Sequence, residues 1–121
     1  MSRGRKVTFN DISFDSQIEG HRYLQLLSME QSGDISHLVC HPKFELQPSF
    51  KHHGKTIRAI TYTADFQYTD LANGDVIVED VKGRNNRAKR SNTAFIPPAG
   101  RLRIKLFKYK FPTLKFIIKV M

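Results

Sequence analysis

Two acids and a lysine, Asp65, Asp80 and Lys82, stand near the strand ends of one expected β-hairpin. These residue types suit metal-dependent hydrolysis of a phosphodiester. Carboxylates supply the hard oxygen ligands that Mg²⁺ prefers, and the ion keeps several of its own waters. The backbone carbonyl of Val81, between Asp80 and Lys82, is a third candidate ligand. A lysine beside them would orient the attacking water and stabilise negative charge on the phosphate. The 121-residue chain carries 20 Lys and Arg against 11 Asp and Glu, a formal charge of +9, so a polyanionic partner is expected.

The hairpin must bring those groups to one face. Asn73-Gly74 is a strong turn signal, flanked by Phe66 and Tyr68 on one side and Val76, Ile77, Val78 and Val81 on the other. A two-residue type I′ loop, or a four-residue loop over Ala72–Asp75, sets Asp65 opposite Lys82 and Gln67 opposite Asp80. Opposite residues share a face, as do residues two apart. Asp65, Gln67, Asp80 and Lys82 therefore project together, with Gln67 a candidate for positioning substrate or water. Glu79 falls on the other face. A three- or five-residue loop would break this result, because a one-residue slip flips the faces. The competing reading is a solvated strand face with Asp65–Lys82 as a surface ion pair.

Other elements follow from pattern and punctuation. Residues 1–12 read as a basic, flexible arm carrying Arg3, Arg5 and Lys6, and residues 13–121 as one domain. A helix is expected over about Ser16–Gln31, with Asp15 as N-cap, Phe14 packing back and Gly33 ending it. Short strands are expected near Ile35–Cys40, Phe44–Leu46 and Phe50–His52. His53-Gly54 reads as a turn and Thr56–Tyr62 as one further run, its core face ambiguous. After the hairpin, 83–100 is an irregular basic loop. A second helix over Arg101–Lys110 stops before Pro112, and Leu114–Val120 closes as a buried strand. The result is an α/β chain with a central mixed β-sheet flanked by helices.

The helices add candidates. On the first, Glu19 lies in the middle of the stripe formed by Leu26, Tyr23 and Leu27, where a lone acid is costly. It either serves the helix dipole and reaches water or points at the hairpin acids and shares their cation. Glu30, at the helix end, is expected in solvent. On the second helix, Arg101, Lys105 and Lys108 form one cationic stripe, and Leu102, Leu106 and Tyr109 the expected core face. Arg84, Arg87, Lys89 and Arg90 follow the hairpin in a run able to track a nucleic-acid backbone. The alternative for each is a solvated charged face.

The ordered set Glu19, Asp65, Asp80-Val81-Lys82 resembles the PD-(D/E)XK, or restriction-endonuclease-like, nuclease superfamily. Phe14-Asp15-Ser16, Phe44-Glu45-Leu46-Gln47-Pro48, Ile60-Thr61-Tyr62, Asp65-Phe66, Val78–Gly83 and Lys105-Leu106-Phe107 are similar to a group of small phage and prophage proteins placed there. The resemblance covers about residues 13–120. It implies a restriction-endonuclease-like fold and a Mg²⁺-dependent endonuclease, with Mn²⁺ as a substitute. Asp65, Asp80 and Glu19 would serve the metal and Lys82 the phosphate, and Lys105 leads as a fourth-motif contact. DNA is the implied substrate, branched or recombination intermediates such as Holliday junctions among the options. RNA and a homodimer stay open. Ala64 stands where the motif often has proline, and the 84–100 segment is longer than in relatives.

Several classes are set aside. A single cysteine, Cys40, excludes an intramolecular disulfide, fits a reducing compartment and reads as a small buried hydrophobe. The five histidines form no HxxxH pair on one helix and no Cys-His ligand set, and no Gly-rich phosphate loop suggests ATP use. With no signal peptide and no membrane-length apolar run, a cytoplasmic location is expected, and the resemblance implies that of a bacterial host. The alternative to an enzyme is a non-catalytic nucleic-acid-binding module that retains the nuclease fold.

Overall fold

The computed structural model describes residues 6–83 and 96–121. Within them the chain runs β1 (Val7–Phe9), β2 (Ile12–Phe14), α1 (Gln17–Gln31), β3 (Ile35–Cys40), β4 (Lys43–Gln47) and β5 (Phe50–His52). It continues through β6 (Lys55–Ile57), β7 (Ile60–Thr63), β8 (Phe66–Asp70), β9 (Val76–Lys82), α2 (Pro98–Lys110) and β10 (Lys115–Val120). A four-stranded sheet, ordered β10-β9-β8-β3, organises the molecule. Only β10 and β9 are parallel, so the sheet is mixed, as expected. Phe66, Tyr68, Ile77 and Val81 pack on one face with Tyr23 and Leu26 of α1. Val78 and Phe116 pack on the other with Ile104 and Phe107 of α2. The chain is thus mixed α/β, with helices on both faces of the main sheet.

The start of α1 differs in one residue from expectation. Ser16, not Asp15, is the N-cap, and its hydroxyl accepts from the Glu19 N–H at 3.3 Å. This is half of a capping box, so Glu19 owes its place to the first turn. The helix ends as expected at Gly33, with φ +83°. Asp34 N–H donates to the Met29 carbonyl and Gly33 N–H to that of Glu30, which is a Schellman closure.

Residues 7–14, expected to belong largely to a flexible arm, form the β1–β2 hairpin instead. Asn10 and Asp11 make its turn at φ 50° and 63°, a conformation these residue types tolerate. Val7 and Phe9 crowd Gly20 of α1, where an added Cβ would meet Val7 Cγ2 at 2.5 Å. The run expected over 56–62 is two strands, because β6 pairs with β5 and β7 with β4.

The β8–β9 pairing is shifted by two residues from the expected register: Gln67 faces Val78 and Phe66 faces Glu79. The loop is Leu71–Gly74, closed by Asp70 N–H to the Asp75 carbonyl at 2.8 Å. A shift of two leaves every side chain on its expected face. The α2 expectation fails in a different way. Ile104 and Phe107 are buried, whereas Leu102 is 57% and Tyr109 86% exposed. The helix begins at Pro98, which tolerates the first turn because its missing N–H has no helical partner there.

Candidate active site

Three elements bring sequence candidates to one cavity of about 350 Å³. Glu19 comes from the first turn of α1, Asp65 from the residue before β8, and Asp80, Val81 and Lys82 from the end of β9. Thr61, Tyr62 and Thr63 of β7 and Gly100, Arg103 and Ile104 of α2 also line it.

Local hydrogen bonds explain the placement. Asp65 N–H donates to the Glu79 carbonyl at 3.1 Å and approaches Asp80 Oδ1 at 3.3 Å. Val81 N–H donates to Asp65 Oδ2 at 2.7 Å. The Tyr62 hydroxyl donates to Asp80 Oδ2 in a short, buried bond. The Val81 N–H points to the β8 side, and in a strand the carbonyl of the same residue leaves on that side too. Lys82 alternates, its carbonyl accepting from Met121 N–H at 3.0 Å toward β10.

Burial sets the electrostatics. The Asp65 carboxyl is pushed up to about 7, first by burial and then by the charges of Glu19 and Asp80. The Val81 N–H and the Lys82 charge oppose that shift without cancelling it. Glu19 is also raised, by burial first and by Asp15 second, while hydrogen bonding with Asp65 and Ser16 pulls it back. Burial and the Asp80 bond drive the Tyr62 hydroxyl far above its usual range, so it stays a proton donor. Carboxylates that raise one another's affinity for protons form a site that a cation would relieve.

Among the described residues, no three His, Cys, Asp or Glu side chains already form a metal cage. Asp65 and Asp80 each spend acceptor capacity on Val81 and Tyr62. A carboxylate offers about four lone-pair directions, so both retain capacity for a further partner.

Other candidates fall outside the cavity. Gln67 shares the face of Asp65 but does not line the cavity, because the register sets it opposite Val78. Arg101, Lys105 and Lys108 do form one stripe, around a neighbouring hollow walled by Ile96, Ile104, Phe116 and Ile118. Lys108 Nζ lies 5.5 Å from the Phe116 ring centre. Lys105 therefore does not line the carboxylate cavity; Arg103 does. Lys6 is exposed. Arg3, Arg5, Arg84, Arg87, Lys89 and Arg90 lie outside the described residues.

Four residues near the site went unassigned in the sequence reading. Tyr62 sits where the core face was ambiguous, although a buried tyrosine demands an acceptor. Arg103 belongs to a helix face that was assigned to neither core nor cation stripe. His41 Nε2 is 4.0 Å from Glu19 Oε2, and the His41 backbone N–H donates to the Asp65 carbonyl at 2.9 Å. Arg22 grips Glu79 behind the site, Nε to Oε2 2.8 Å and the second nitrogen to Oε1 2.9 Å. Tyr68 completes that cluster by donating to Glu79 Oε1 at 2.7 Å. Glu30, expected in solvent, accepts from Leu38 N–H at 3.0 Å and holds β3 to α1. Cys40 is half-buried, and burial pushes its thiol up to about 11.

With this geometry in place, the comparison by sequence is decisive at one level. The chain belongs to the family described as protein of unknown function DUF1064. That family's profile matches residues 2–121, so it spans the β1–β2 hairpin as well as the carboxylate cavity. No curated protein and no solved structure matches the chain. The cavity of this DUF1064 chain must therefore be read from its own chemistry. Among the described residues, no helix is long and apolar enough to cross a membrane.

Proposed function

We propose that this DUF1064 chain is a metal-dependent endodeoxyribonuclease with a restriction-endonuclease-like core. One observation carries the reading: Glu19 of α1, Asp65 before β8, and Asp80 and Lys82 of β9 line a single cavity. The first three, with the Val81 carbonyl, offer only oxygen donors, the set suited to Mg²⁺ or Mn²⁺. Bound there, the ion would lower the pKa of a water and neutralise charge on a phosphate.

The chain's own residues supply the rest. Tyr62 and the Asp65 N–H hold the Asp80 carboxylate in one orientation. Val81 N–H does the same for Asp65. Lys82 would orient an attacking water and stabilise the phosphate oxygens, and Arg103, which also lines the cavity, would donate to a non-bridging oxygen. The +9 charge favours a polyanionic substrate. DNA is the proposed substrate, and branched DNA a form to include in the test.

The test incubates the protein with plasmid, single-stranded and four-way-junction DNA in Mg²⁺, Mn²⁺ or EDTA. Cleavage is expected with either ion, none with EDTA, and none by Asp80→Asn under any condition. Full cleavage by that variant would overturn the assignment. Binding without cleavage by the wild type would leave the non-catalytic module as the reading.

A further inference from the structure

The β5–β6 ribbon has no role in the site just described, and its surroundings are unusual for a structural element. Every residue from Phe50 to Arg58 is exposed. The cross-strand pair Phe50 and Ile57 leaves 46% and 39% of its surface in water. An isolated two-stranded hairpin is marginally stable by itself, so a ribbon exposed along its whole length draws little stability from its own packing.

Charge selects the partner. From Gln47 to Ala64 the chain contains no Asp or Glu, while it carries Lys51, Lys55, Arg58, His52 and His53. A surface for a protein partner of mixed charge would not need such one-sided composition. Position selects the form of nucleic acid. The ribbon leads directly into β7, whose Thr61–Thr63 line the carboxylate cavity. At most about 14 Å of extended chain separates Ile57 from Thr61, and about 28 Å separates Lys55 from Thr63. At 3.4 Å per nucleotide these lengths correspond to roughly four to eight base pairs. The major groove, about 12 Å wide, admits a two-stranded ribbon, whereas the minor groove at about 6 Å does not without distortion.

We infer that the β5–β6 ribbon enters the major groove of duplex DNA beside the phosphate held at the carboxylate cavity. The inference rests on the nuclease reading for that neighbouring phosphate and adds to it a double-stranded substrate. Lys51, Lys55 and Arg58 meet the two phosphate backbones, and the Phe50–Ile57 pair packs on apolar groups in the groove, such as thymine methyls.

The test measures binding in EDTA, where no cleavage is expected, by fluorescence anisotropy against salt on a duplex and on its single strand. The proteins are wild type, Lys51→Gln/Lys55→Gln, and a variant with Phe50–Ile57 replaced by Asn-Gly. Circular dichroism and urea melts establish that each is folded. Duplex is expected to bind about tenfold more tightly than single strand, and the double variant to lose about one unit of salt slope per lysine. Dimethyl sulfate, which reports guanine N7 in the major groove, should show protection that disappears in the shortened variant. Equal binding of both strand forms, absent N7 protection, or protection unchanged by shortening would overturn the inference. So would a wild-type dimer that becomes monomeric only when the ribbon is shortened. Cleavage with Mg²⁺ but no N7 protection would sink the ribbon proposal alone. N7 protection without cleavage would sink the nuclease reading and keep the ribbon as a duplex-binding element.

Discussion

Asp65 and Asp80 face each other across the open end of the β8–β9 pair, and each is held by the other's strand. The Asp65 N–H approaches Asp80 Oδ1 at 3.3 Å, while Val81 N–H, next to Asp80, donates to Asp65 Oδ2 at 2.7 Å. The two acids are oriented before any ligand arrives, at the expense of mutual repulsion in a buried site. That tension has measurable consequences.

Asp65 should make the metal-free protein less stable as pH rises. Its folded-state carboxyl titrates at about 7, above its ordinary value, with burial as the main cause. The unfolded chain therefore releases this proton first, and the stability present at low pH is lost as pH climbs through about 7. Asp65→Asn carries no such proton and its carbonyl still accepts from Val81. In EDTA the variant is expected to match wild type near pH 4 and to exceed it by about 2–4 kcal/mol at pH 8. Urea melts at pH 4.5, 6 and 8 check this; a difference that stays flat with pH would contradict it.

Asp80 should separate chemistry from folding by the choice of substitution. Asp80→Ala leaves the buried Tyr62 hydroxyl without its acceptor, a cost of about 1–3 kcal/mol. Asp80→Asn retains an oxygen for Tyr62 and is expected to cost less. Both variants should lose Mg²⁺-dependent cleavage completely. Parallel thermal melts and plasmid assays test the pair, and equal stability losses would count against the Tyr62 bond.

Much of this arrangement was legible in the chain. The Asn73-Gly74 turn, the Gly33 stop and the alternation through Phe66–Tyr68 located the hairpin and α1. Face assignment survived a wrong register because the error was two residues, and side-chain direction repeats every two. The same pattern-reading failed for α2, which carries two apolar sets: Leu102, Leu106 and Tyr109, or Ile104, Phe107 and Phe111. Only Val78 and Phe116, supplied by the sheet, decide between them. The β1–β2 hairpin was hidden by the basic residues before it, although Asn10-Asp11 is a turn signal. Arg22 and Tyr62 were unreadable for another reason: their partners lie 57 and 18 residues away.

Arg103 should matter more than its neighbour Lys105, reversing the expectation from sequence. Both are exposed cations on α2, but Arg103 lines the carboxylate cavity and Lys105 the adjoining hollow. Arg103→Gln is expected to lower kcat/KM about 10- to 100-fold, and Lys105→Gln less than threefold at moderate salt. Arg103→Lys should recover only part of the loss, since lysine lacks the planar two-point contact. Steady-state kinetics on one duplex substrate compare all three. A larger effect from Lys105→Gln would reassign the phosphate contact.

The Arg22–Glu79 pair should act as a pin whose halves cannot be removed singly. Glu79 is 0% and Arg22 8% exposed, and their contact joins α1 to the back of β9. Arg22 lies one helical turn after Glu19, and Glu79 immediately precedes Asp80, so the pair sets the spacing between two site carboxylates. Arg22→Met leaves Glu79 buried with Tyr68 as its remaining side-chain donor, at an expected cost of about 3–5 kcal/mol. The double variant Arg22→Met/Glu79→Leu removes both charges and should recover most of that stability. Cleavage should not recover with it, because an apolar contact fixes no register between α1 and β9. Urea melts and cleavage rates on the single and double variants test both halves of the argument. Recovery of cleavage together with stability would reduce the pair to a packing role.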